Sequence, residues 1–358
     1  MNFTQTLSTN PTSPAQRAAL MKDPGFGRIF TDHMVTITWT ADKGWTDAKI
    51  QPRAPFSIDP ASAVLHYAQE IFEGLKAYKA SNGEITLFRP EENARRLNES
   101  AERLAMPALP EKDFIAAIEL LVKTDRDWVP EGEGSLYLRP FMFSDEPFLG
   151  VRPAQRYIFC VIASPVGGYF KGGEKPLNVW VSTDYARAAR GGTGSAKFGG
   201  NYASSLAAQA QATSHNCDQV LFLDSAERRW IEELGGMNIF FVMKDGSLRT
   251  PPLGTILRGI TRASVIELAG DRGIKVDESP YSFEQLQADI ASGALKEVFV
   301  CGTAAVIAGV GALHHAGGKI QIGDGQIGPM TKKLQQMIIG IQRGRDNDPH
   351  GWVKKVPL

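Results

Sequence analysis

The segment SPVGGYFKGGEKP, residues 164–176, holds four glycines and two prolines. Glycine and proline at this density favour turns over helices and strands, so the segment predicts a linker between two domains. A chain of 358 residues is long enough for two domains of roughly 150 residues each. We therefore predict a small N-terminal domain over 1–163, a linker over 164–176 and a large C-terminal domain over 177–358.

Short apolar strands and helices occur on both sides of this linker. Before it, the patterns predict strands over 34–39, 71–79, 85–88, 135–144 and 157–163, and helices over 61–70, 91–105 and 111–123. After it, they predict strands over 177–182, 220–223, 239–243 and 297–301, and helices over 260–270 and 283–292. Residues 1–30 indicate an extended arm, and 244–247 a hairpin turn. This mixture predicts an α/β or α+β fold with two domains that meet at a cleft.

Charge and cysteine content exclude several classes of protein. Basic and acidic residues number 39 each, so the net charge is +0, which argues against nucleic acid or an anionic membrane surface as the main partner. The three cysteines lie far apart and have no metal-ligand spacing, which indicates a reduced intracellular protein. The longest uncharged run that is mostly apolar, Val298–Leu313, is shorter than the roughly 20 residues of a spanning helix and predicts a buried strand and turn. We predict a cytoplasmic protein without a membrane span that acts on small molecules.

One lysine stands alone among small residues in GGTGSAKFGGNYASS, residues 191–205. The glycines on both sides place Lys197 poorly for a surface ion pair, and Phe198 and Tyr202 would surround it with apolar material. Burial disfavours the ammonium form, so the amine becomes a nucleophile that can form a Schiff base. A surface lysine in a flexible loop is the alternative. A phosphate-binding P-loop is excluded because the GxxxxGK spacing and a following Ser or Thr are absent.

Two segments of the second half could bind the ring and the phosphate of a cofactor. Glu233 lies between an apolar stretch and glycines, where it could meet a protonated ring nitrogen or could be a loop acid in water. In PPLGTILRGITR, residues 251–262, Gly259 would let a phosphate approach the amides of Ile260 and Thr261 at a helix start. An ordinary helix entry is the alternative for that segment.

Two further features could contact an anion. Thr303, in the segment Cys301–Ala305, offers a hydroxyl at the end of a strand, although the segment could be a simple tight turn. Arg96 could contact a phosphate through two hydrogen bonds, although Arg95 and Arg96 could both lie on a solvated helix face. Together with Lys197 and Glu233, these residues are the parts that binding of pyridoxal phosphate requires.

Several longer motifs extend this pattern over nearly the whole chain. They are LHYAQEIFEGLKAY (65–78), LYLRPF (136–141), KFGGNYASS (197–205), EELGGMNIFF (232–241), GITR (259–262), CGTAA (301–305), GIQRG (340–344) and HGW (350–352). With these motifs the sequence resembles the branched-chain-amino-acid aminotransferases, which are class IV, fold-type IV pyridoxal-phosphate enzymes. The resemblance runs from about Phe26 to Val353 and implies a two-domain fold with the cofactor in the cleft between the domains.

The resemblance implies a role for each candidate cofactor residue. Lys197 would form the internal aldimine with pyridoxal 5'-phosphate, Tyr202 would hydrogen-bond the phenolic oxygen, and Glu233 would pair with the pyridine nitrogen. The residues implied to bind the phosphate are Arg96, Thr303 and, by their backbone amides, Ile260 and Thr261.

It also implies a substrate site. Tyr137 and the amide of Ala304 would hold the substrate carboxylate, and Arg139 would meet the distal carboxylate of glutamate. Tyr67, Phe72 and Tyr169 would form the walls of the side-chain pocket, with Tyr67 reaching across the interface of a homodimer.

The implied reaction is transamination of leucine, isoleucine and valine with 2-oxoglutarate, which gives branched-chain 2-oxo acids and glutamate and needs no metal. A D-amino-acid aminotransferase or an aminodeoxychorismate lyase would share the lysine, the glutamate and the phosphate site, but segments 65–78 and 136–141 favour the branched-chain group. A non-catalytic nucleotide-binding protein is the alternative from another class.

The chain departs from the family at Ala308-Gly309-Val310, where many relatives carry a proline. Ala305 and Ala308 replace the redox CxxC of animal mitochondrial relatives, so we expect no thiol switch.

Overall fold

The computed structural model describes residues 1–80, 82–168 and 175–358. The chain forms two compact units: the first comprises Met1–Tyr169, Ala196–Gly199 and Gly340–Leu358, and the second comprises Phe170–Ser195 and Gly200–Ile339. This division differs from the predicted one because two later segments belong to the first unit, which makes it the larger of the two. The predicted linker also begins too early, since residues 164–166 complete a strand.

The strands in the described ranges are numbered in chain order. They are β1 (Thr4–Gln5), β2 (His33–Thr40), β3 (Gly44–Pro52), β4 (Glu70–Phe72), β5 (Leu75–Lys79), β6 (Ile85–Phe88), β7 (Ser135–Phe143), β8 (Arg156–Val166), β9 (Leu177–Ser182), β10 (Gln219–Leu223), β11 (Ile231–Leu234), β12 (Asn238–Met243), β13 (Leu248–Arg249), β14 (Val276–Asp277), β15 (Leu295–Gly302), β16 (Val306–His315), β17 (Gly318–Gln321) and β18 (Val353–Lys355).

The helices of the same ranges follow the same order. They are α1 (Pro14–Met21), α2 (Ala63–Tyr67), α3 (Pro90–Arg103), α4 (Glu111–Thr124), α5 (Gly199–Ala203), α6 (Leu206–Ser214), α7 (Ile260–Gly270), α8 (Phe283–Ala291) and α9 (Pro329–Gln342). No helix in the three described stretches of the chain is long and apolar enough to cross a lipid bilayer.

The first unit is built on a mostly antiparallel sheet. Its strand order is β1-β3-β2-β8-β7-β5-β6-β18, and β4 also pairs with β7. Leu136 and Leu138 of β7 lie in the hydrophobic core together with Leu97 of α3 and Phe114 of α4. Because side chains alternate between the faces of a strand, Tyr137 and Arg139 of β7 lie on the face away from that core.

The second unit has its own sheet and core. The strand order is β11-β10-β9-β16-β15-β12-β13-β14, and β17 pairs with β16. The apolar run Val298–Leu313 lies in the hairpin of β15 and β16, with buried residues on both strands, where a buried strand and turn had been predicted. Ala308 and Gly309 pair directly with Val300 and Phe299, so the stretch where many relatives carry a proline is an unbroken strand here.

Two local predictions were wrong. The predicted strand 71–79 is divided into β4 and β5, although both keep one register against β7. Pro140 of β7 stands opposite the gap, and proline has no backbone N–H to donate to the ladder. The predicted N-terminal arm contains helix α1, which begins with a capping box between Ser13 and Gln16 and with Pro14 at the first helical position.

Candidate active site

Lys197 lies on a short segment of the first unit that is fastened along its backbone. Its carbonyl oxygen accepts a hydrogen bond from the N–H of Phe72 at 3.0 Å, and its N–H donates to Ser100 Oγ at 2.8 Å. The Lys197 Nζ lies 4.7 Å from the centre of the half-buried Phe72 ring. The lysine is therefore neither on a flexible loop nor fully exposed, which favours the catalytic interpretation over the surface one.

Arg96 faces a carboxylate that no sequence pattern had marked. Its Nε donates to Glu73 Oε1 at 2.7 Å and its Nη2 donates to Oε2 at 2.9 Å. Glu73 is fully buried and also accepts from Asn93 at 2.7 Å. Burial opposes its ionisation, but Arg96 first, and then these hydrogen bonds and Lys197, hold the pKa of Glu73 below its ordinary value. Arg95, by contrast, is exposed and pairs with Glu92, so the structure distinguishes the two arginines.

Tyr137 and Arg139 lie together on β7. Arg139 Nη2 donates to Tyr137 Oη at 3.2 Å, and the guanidinium carbon lies 4.7 Å from the centre of the Phe72 ring. Arg139 Nε is buried and has no hydrogen-bond partner among the described residues. A Cβ at Gly74 would overlap the Tyr137 hydroxyl, so glycine is required there. An arginine with an unused donor beside a tyrosine hydroxyl is suited to bind a carboxylate.

Phe26 is a neighbour of this pair that sequence reasoning missed. Its ring lies edge-on to that of Tyr137, with the centres 5.0 Å apart. The flanking glycines, Gly25 and Gly27, have φ angles of +64° and +65°, which other residues rarely adopt. The Gly-Phe-Gly pattern was a usable signal, because two glycines around one aromatic residue are typical of a tight bend in the backbone.

Tyr67 lies at the end of α2, and its hydroxyl donates to the carbonyl oxygen of Leu149. Three apolar residues of these two segments are exposed, namely Leu65, Leu149 and Val151. Tyr169, the third residue predicted for the pocket wall, lies outside the described residues.

In the second unit, Glu233 is buried and fully engaged. The Arg187 Nη1 lies 2.8 Å from Oε1, which also accepts from the N–H of Leu257 at 2.8 Å. Asn238 Nδ2 donates to Oε2 at 2.9 Å. A buried carboxylate needs such partners to offset the loss of water. Glu233 is therefore not a loop acid in water, and no local pattern had indicated that Arg187 would be its partner.

The start of α7 has the form expected of an anion site. Gly259 is the N-cap and makes no side-chain capping bond, so the first amides of the helix, including those of Ile260 and Thr261, have no cap from that residue. A Cβ at Gly259 would overlap Asn238 Oδ1. Through Asn238, the helix start is therefore held next to Glu233.

Tyr202 and the turn after β15 approach the same part of the second unit. A Cβ at Gly236 would lie 3.7 Å from the Tyr202 ring, and one at Gly302 would lie 3.5 Å from the Gly236 carbonyl oxygen. Thr303 and Ala304 form the tight turn that follows Gly302, and the turn ends at Val306 with a φ of +61°. A positive φ at a β-branched residue is a strained conformation, so this turn is held in an unusual shape.

Each unit thus carries a compact group of the predicted residues. The first group contains Lys197, Arg96, Phe72, Tyr137 and Arg139, and the second contains Tyr202, Glu233, Ile260, Thr261, Thr303 and Ala304. The first supplies a lysine amine and two arginines, and the second supplies a charge-compensated carboxylate, helix amides and hydroxyl groups. These donors and acceptors match the aldehyde, the phosphate and the ring nitrogen of pyridoxal phosphate.

Comparison with known proteins defines the class. Residues 70–313 match the family Amino-transferase class IV. The chain therefore belongs to the class IV amino-transferases.

The comparison with individual relatives is more specific. The chain is 52% identical over 362 residues to the branched-chain-amino-acid aminotransferase of Mycolicibacterium smegmatis, with 99% of this chain and 98% of that protein covered. Within its family it thus groups with the branched-chain-amino-acid aminotransferases, which confirms the resemblance seen in the motifs.

Solved structures agree with this assignment. The Escherichia coli branched-chain amino acid aminotransferase matches with a TM-score of 0.73 and 31% identity, covering 90% of this chain and 99% of that one. The T.th. branched-chain amino acid aminotransferase complexed with N-(5'-phosphopyridoxyl)-L-glutamate matches with a TM-score of 0.73 and 29% identity, covering 90% and 98%. The mixed α/β fold predicted from the sequence is therefore confirmed.

Proposed function

We propose that this enzyme transfers the amino group of leucine, isoleucine and valine to 2-oxoglutarate, with pyridoxal 5'-phosphate as cofactor. The observation that carries the proposal is Lys197, whose backbone is fastened to Phe72 and Ser100 while its amine lies over the Phe72 ring. Its relatives of about half identical sequence, named for branched-chain amino acids, support the choice of substrates.

The cofactor, when bound, supplies an aldehyde that accepts the substrate amine and a ring that accepts electrons from the α-carbon. We assign the covalent attachment to Lys197, the ring nitrogen to Glu233 and the phenolic oxygen to Tyr202. The residues assigned to the phosphate are Arg96, Thr303 and the amides of Ile260 and Thr261. The Arg187–Glu233 contact fixes the carboxylate in one orientation, which suits it to hold a protonated nitrogen.

Lys197 would also move the proton. With the cofactor bound, the Lys197 amine that the substrate amine had displaced would act as a base on its own tether. It would take the proton from the substrate α-carbon and deliver it to C4′, the carbon of the former aldehyde. The fastened backbone limits where this amine can go, and a restricted geometry raises the effective concentration of the base.

Substrate binding would use the residues around Phe72. We assign the α-carboxylate to Tyr137 and the amide of Ala304, and the distal carboxylate of glutamate to Arg139. Tyr67, Phe72 and Tyr169 would wall the side-chain pocket. An aliphatic side chain gains about 0.8 kcal/mol for each CH₂ buried against such walls, whereas a buried carboxylate needs a partner such as Arg139.

We further propose that the enzyme is a cytoplasmic homodimer. Leu65, Leu149 and Val151 are 59%, 65% and 85% exposed, and each is Leu149 itself or stands two positions from Tyr67 or Leu149, whose contact joins the two segments. A net charge of +0 does not oppose self-association. The three cysteines are free thiols and buried, which fits a reducing compartment.

The replacement Lys197→Ala tests the function. We expect it to abolish transamination of leucine with 2-oxoglutarate and to remove the phosphopyridoxyl adduct that borohydride reduction leaves in the wild type. The matched control is Lys79→Ala, because Lys79 lies on β5 with its amine paired to exposed Glu131. Full activity of the Lys197 variant, or an adduct mapped to another lysine, would refute the assignment. A panel with D-leucine as donor distinguishes the D-amino-acid alternative.

A further inference from the structure

Glu70 is a carboxylate at the site to which neither the motifs nor the proposed reaction gives a role. It begins β4 and is half-buried, two residues before Phe72 and therefore on the same face of the strand. Its Oε1 accepts a hydrogen bond from the N–H of Gly199, two residues after Lys197. A Cβ at Gly199 would overlap that oxygen, so this contact needs glycine.

Two points on β4 thus hold the backbone that follows the lysine side chain, while Ser100 of α3 holds the Lys197 N–H that precedes it. Phe72 donates its N–H to the Lys197 carbonyl oxygen, and Glu70 accepts from the Gly199 N–H. The Gly199 contact depends on a side chain, unlike the Phe72 contact, and a substitution can therefore remove it without altering the backbone of the strand.

Glu70 also lies close to Arg139. Burial raises the pKa of Glu70, while the Gly199 N–H and the positive charge of Arg139 act in the opposite direction. Arg139 keeps an unused buried donor at Nε and makes no direct ion pair with Glu70 among the described residues. The two side chains therefore interact through space, and an arriving carboxylate can still bind the guanidinium.

We propose that Glu70 is a positioning residue with two effects: it anchors the Lys197 segment through Gly199, and its charge weakens the attraction of Arg139 for the distal carboxylate of the glutamate pair of substrates. The second effect rests on the proposed function, because it assumes that Arg139 binds that carboxylate. Glu70 would thereby lower the affinity of the pocket for glutamate and 2-oxoglutarate relative to its affinity for branched-chain substrates.

The two effects can be separated because glutamine keeps one of them. The amide oxygen of Glu70→Gln can still accept from the Gly199 N–H, but the negative charge is gone. Glu70→Ala removes both the acceptor and the charge. The carboxylate must be ionised in the wild type, so the comparison is made at about pH 8, well above the ordinary glutamate value of about 4.3.

The experiment is a stopped-flow measurement of each half-reaction in the holoenzyme. For Glu70→Gln we expect the apparent Kd for 2-oxoglutarate to fall by roughly threefold to tenfold, the scale of one partly screened charge. The apparent Kd for 4-methyl-2-oxopentanoate and the rate constant with leucine should stay within about twofold of the wild type. For Glu70→Ala the rate constant with leucine should fall by about tenfold or more, because the lysine loses an anchor.

Arg139→Leu provides the matched background. If the charge of Glu70 acts through Arg139, the Glu70→Gln effect on 2-oxoglutarate should vanish in that background, as in a double-mutant cycle. An effect that persists there, or one that is equal for both oxo acids, would overturn the charge effect. Equal leucine rate constants in the Gln and Ala variants would overturn the anchoring effect. Failure of the wild type to transaminate leucine would refute the proposed function instead, before any variant is compared.

Discussion

One buried cation near the substrate residues has no role in the proposed reaction. Lys76 stands directly opposite Tyr137 in the pairing of β5 with β7 and is only 9% exposed. On the same face of β5, the guanidinium of Arg343 lies 5.3 Å from the Tyr78 ring centre. Burial first, and then the like charge of Arg343, lower the pKa of Lys76 to about 8.

This shift makes a prediction for stability. Because the folded pKa lies below the unfolded value of about 10.4, the unfolded chain binds the extra proton between about pH 8 and pH 10, and stability rises with pH in that window. Lys76→Met removes the buried charge. It should therefore be more stable than the wild type at pH 7, by at most about 3 kcal/mol, and the difference should disappear near pH 10.

Urea unfolding at the two pH values measures this difference. Lys79→Met is the control, since Lys79 is paired with Glu131 at the surface and should show little change at either pH. A Lys76→Met difference that is the same at pH 7 and pH 10 would show that the charge is not the cause.

At the scale of single residues, the sequence indicated which residues could be functional, but it did not indicate which residues they would contact. Lys197 stood out because it lacked charged neighbours in sequence, and Glu233 because it adjoined glycines. Glu73 and Arg187 did not stand out in the sequence. Each is buried next to a partner of opposite charge, and only the fold brings that partner close. Arg96 and Arg95 are adjacent, and their difference depends on which face of α3 meets β4.

Among the elements, the start of α7 offers the sharpest test. Gly259 has an ordinary φ of −66°, so only the overlap with Asn238 Oδ1 forbids a larger residue. Gly259→Ala should displace Asn238, which donates to Glu233. We expect the dissociation constant of pyridoxal phosphate to rise by about tenfold, the scale of one lost buried hydrogen bond, as measured by absorbance titration.

The other end of the same helix supplies the control. A Cβ at Gly270 meets nothing within 4 Å, and alanine is a better helix former by roughly 1 kcal/mol. Gly270→Ala should leave cofactor affinity unchanged and stabilise the fold slightly. Equal weakening by both alanines would mean that the Asn238 contact does not matter for the cofactor.

Local sequence signals predicted some elements well and others poorly. Helix α7 runs over Ile260–Gly270 as expected, and the turn after β12 has Gly246 at a φ of +84°. Both depend on neighbouring residues alone. The break between β4 and β5 depends on Pro140, more than 60 positions later, so periodicity within the segment could not show it. Helix α1 had a readable capping box, but the surrounding prolines and polar residues hid it.

On the scale of the whole molecule, the chain returns to the first unit after completing the second. Strand β18 pairs with β6 and adds an edge to the first sheet, with Val353 opposite Phe88. A reading of the sequence from one end to the other predicts contiguous domains, because nothing local marks a terminal strand as belonging to an earlier sheet. This long-range pairing is the reason why the compact units differ from the contiguous domains predicted from the sequence.

The exposed apolar residues Leu65, Leu149 and Val151 of the first unit lead to a prediction at this scale. Val151→Glu places a charge where we propose that a second copy binds, so the variant should be monomeric by analytical ultracentrifugation and should lose most of its activity. Leu20→Glu is the control, because Leu20 is an exposed apolar residue of α1 and belongs to neither of the two segments joined by the Tyr67–Leu149 contact. A wild type that is monomeric and fully active at micromolar concentration would contradict the proposed dimer.

The short segment Ala196–Gly199 belongs to the first unit although the chain on both sides of it belongs to the second. A hybrid gene joined within residues 169–174 would therefore inherit the reactive amine from one parent and its supports, Ser100 and Glu70, from the other. Such hybrid enzymes should be active only when both parents have the same residues at positions 70 and 100. Exchange between diverged homologues would then be restricted by a few positions around one nucleophile, even where overall similarity is high.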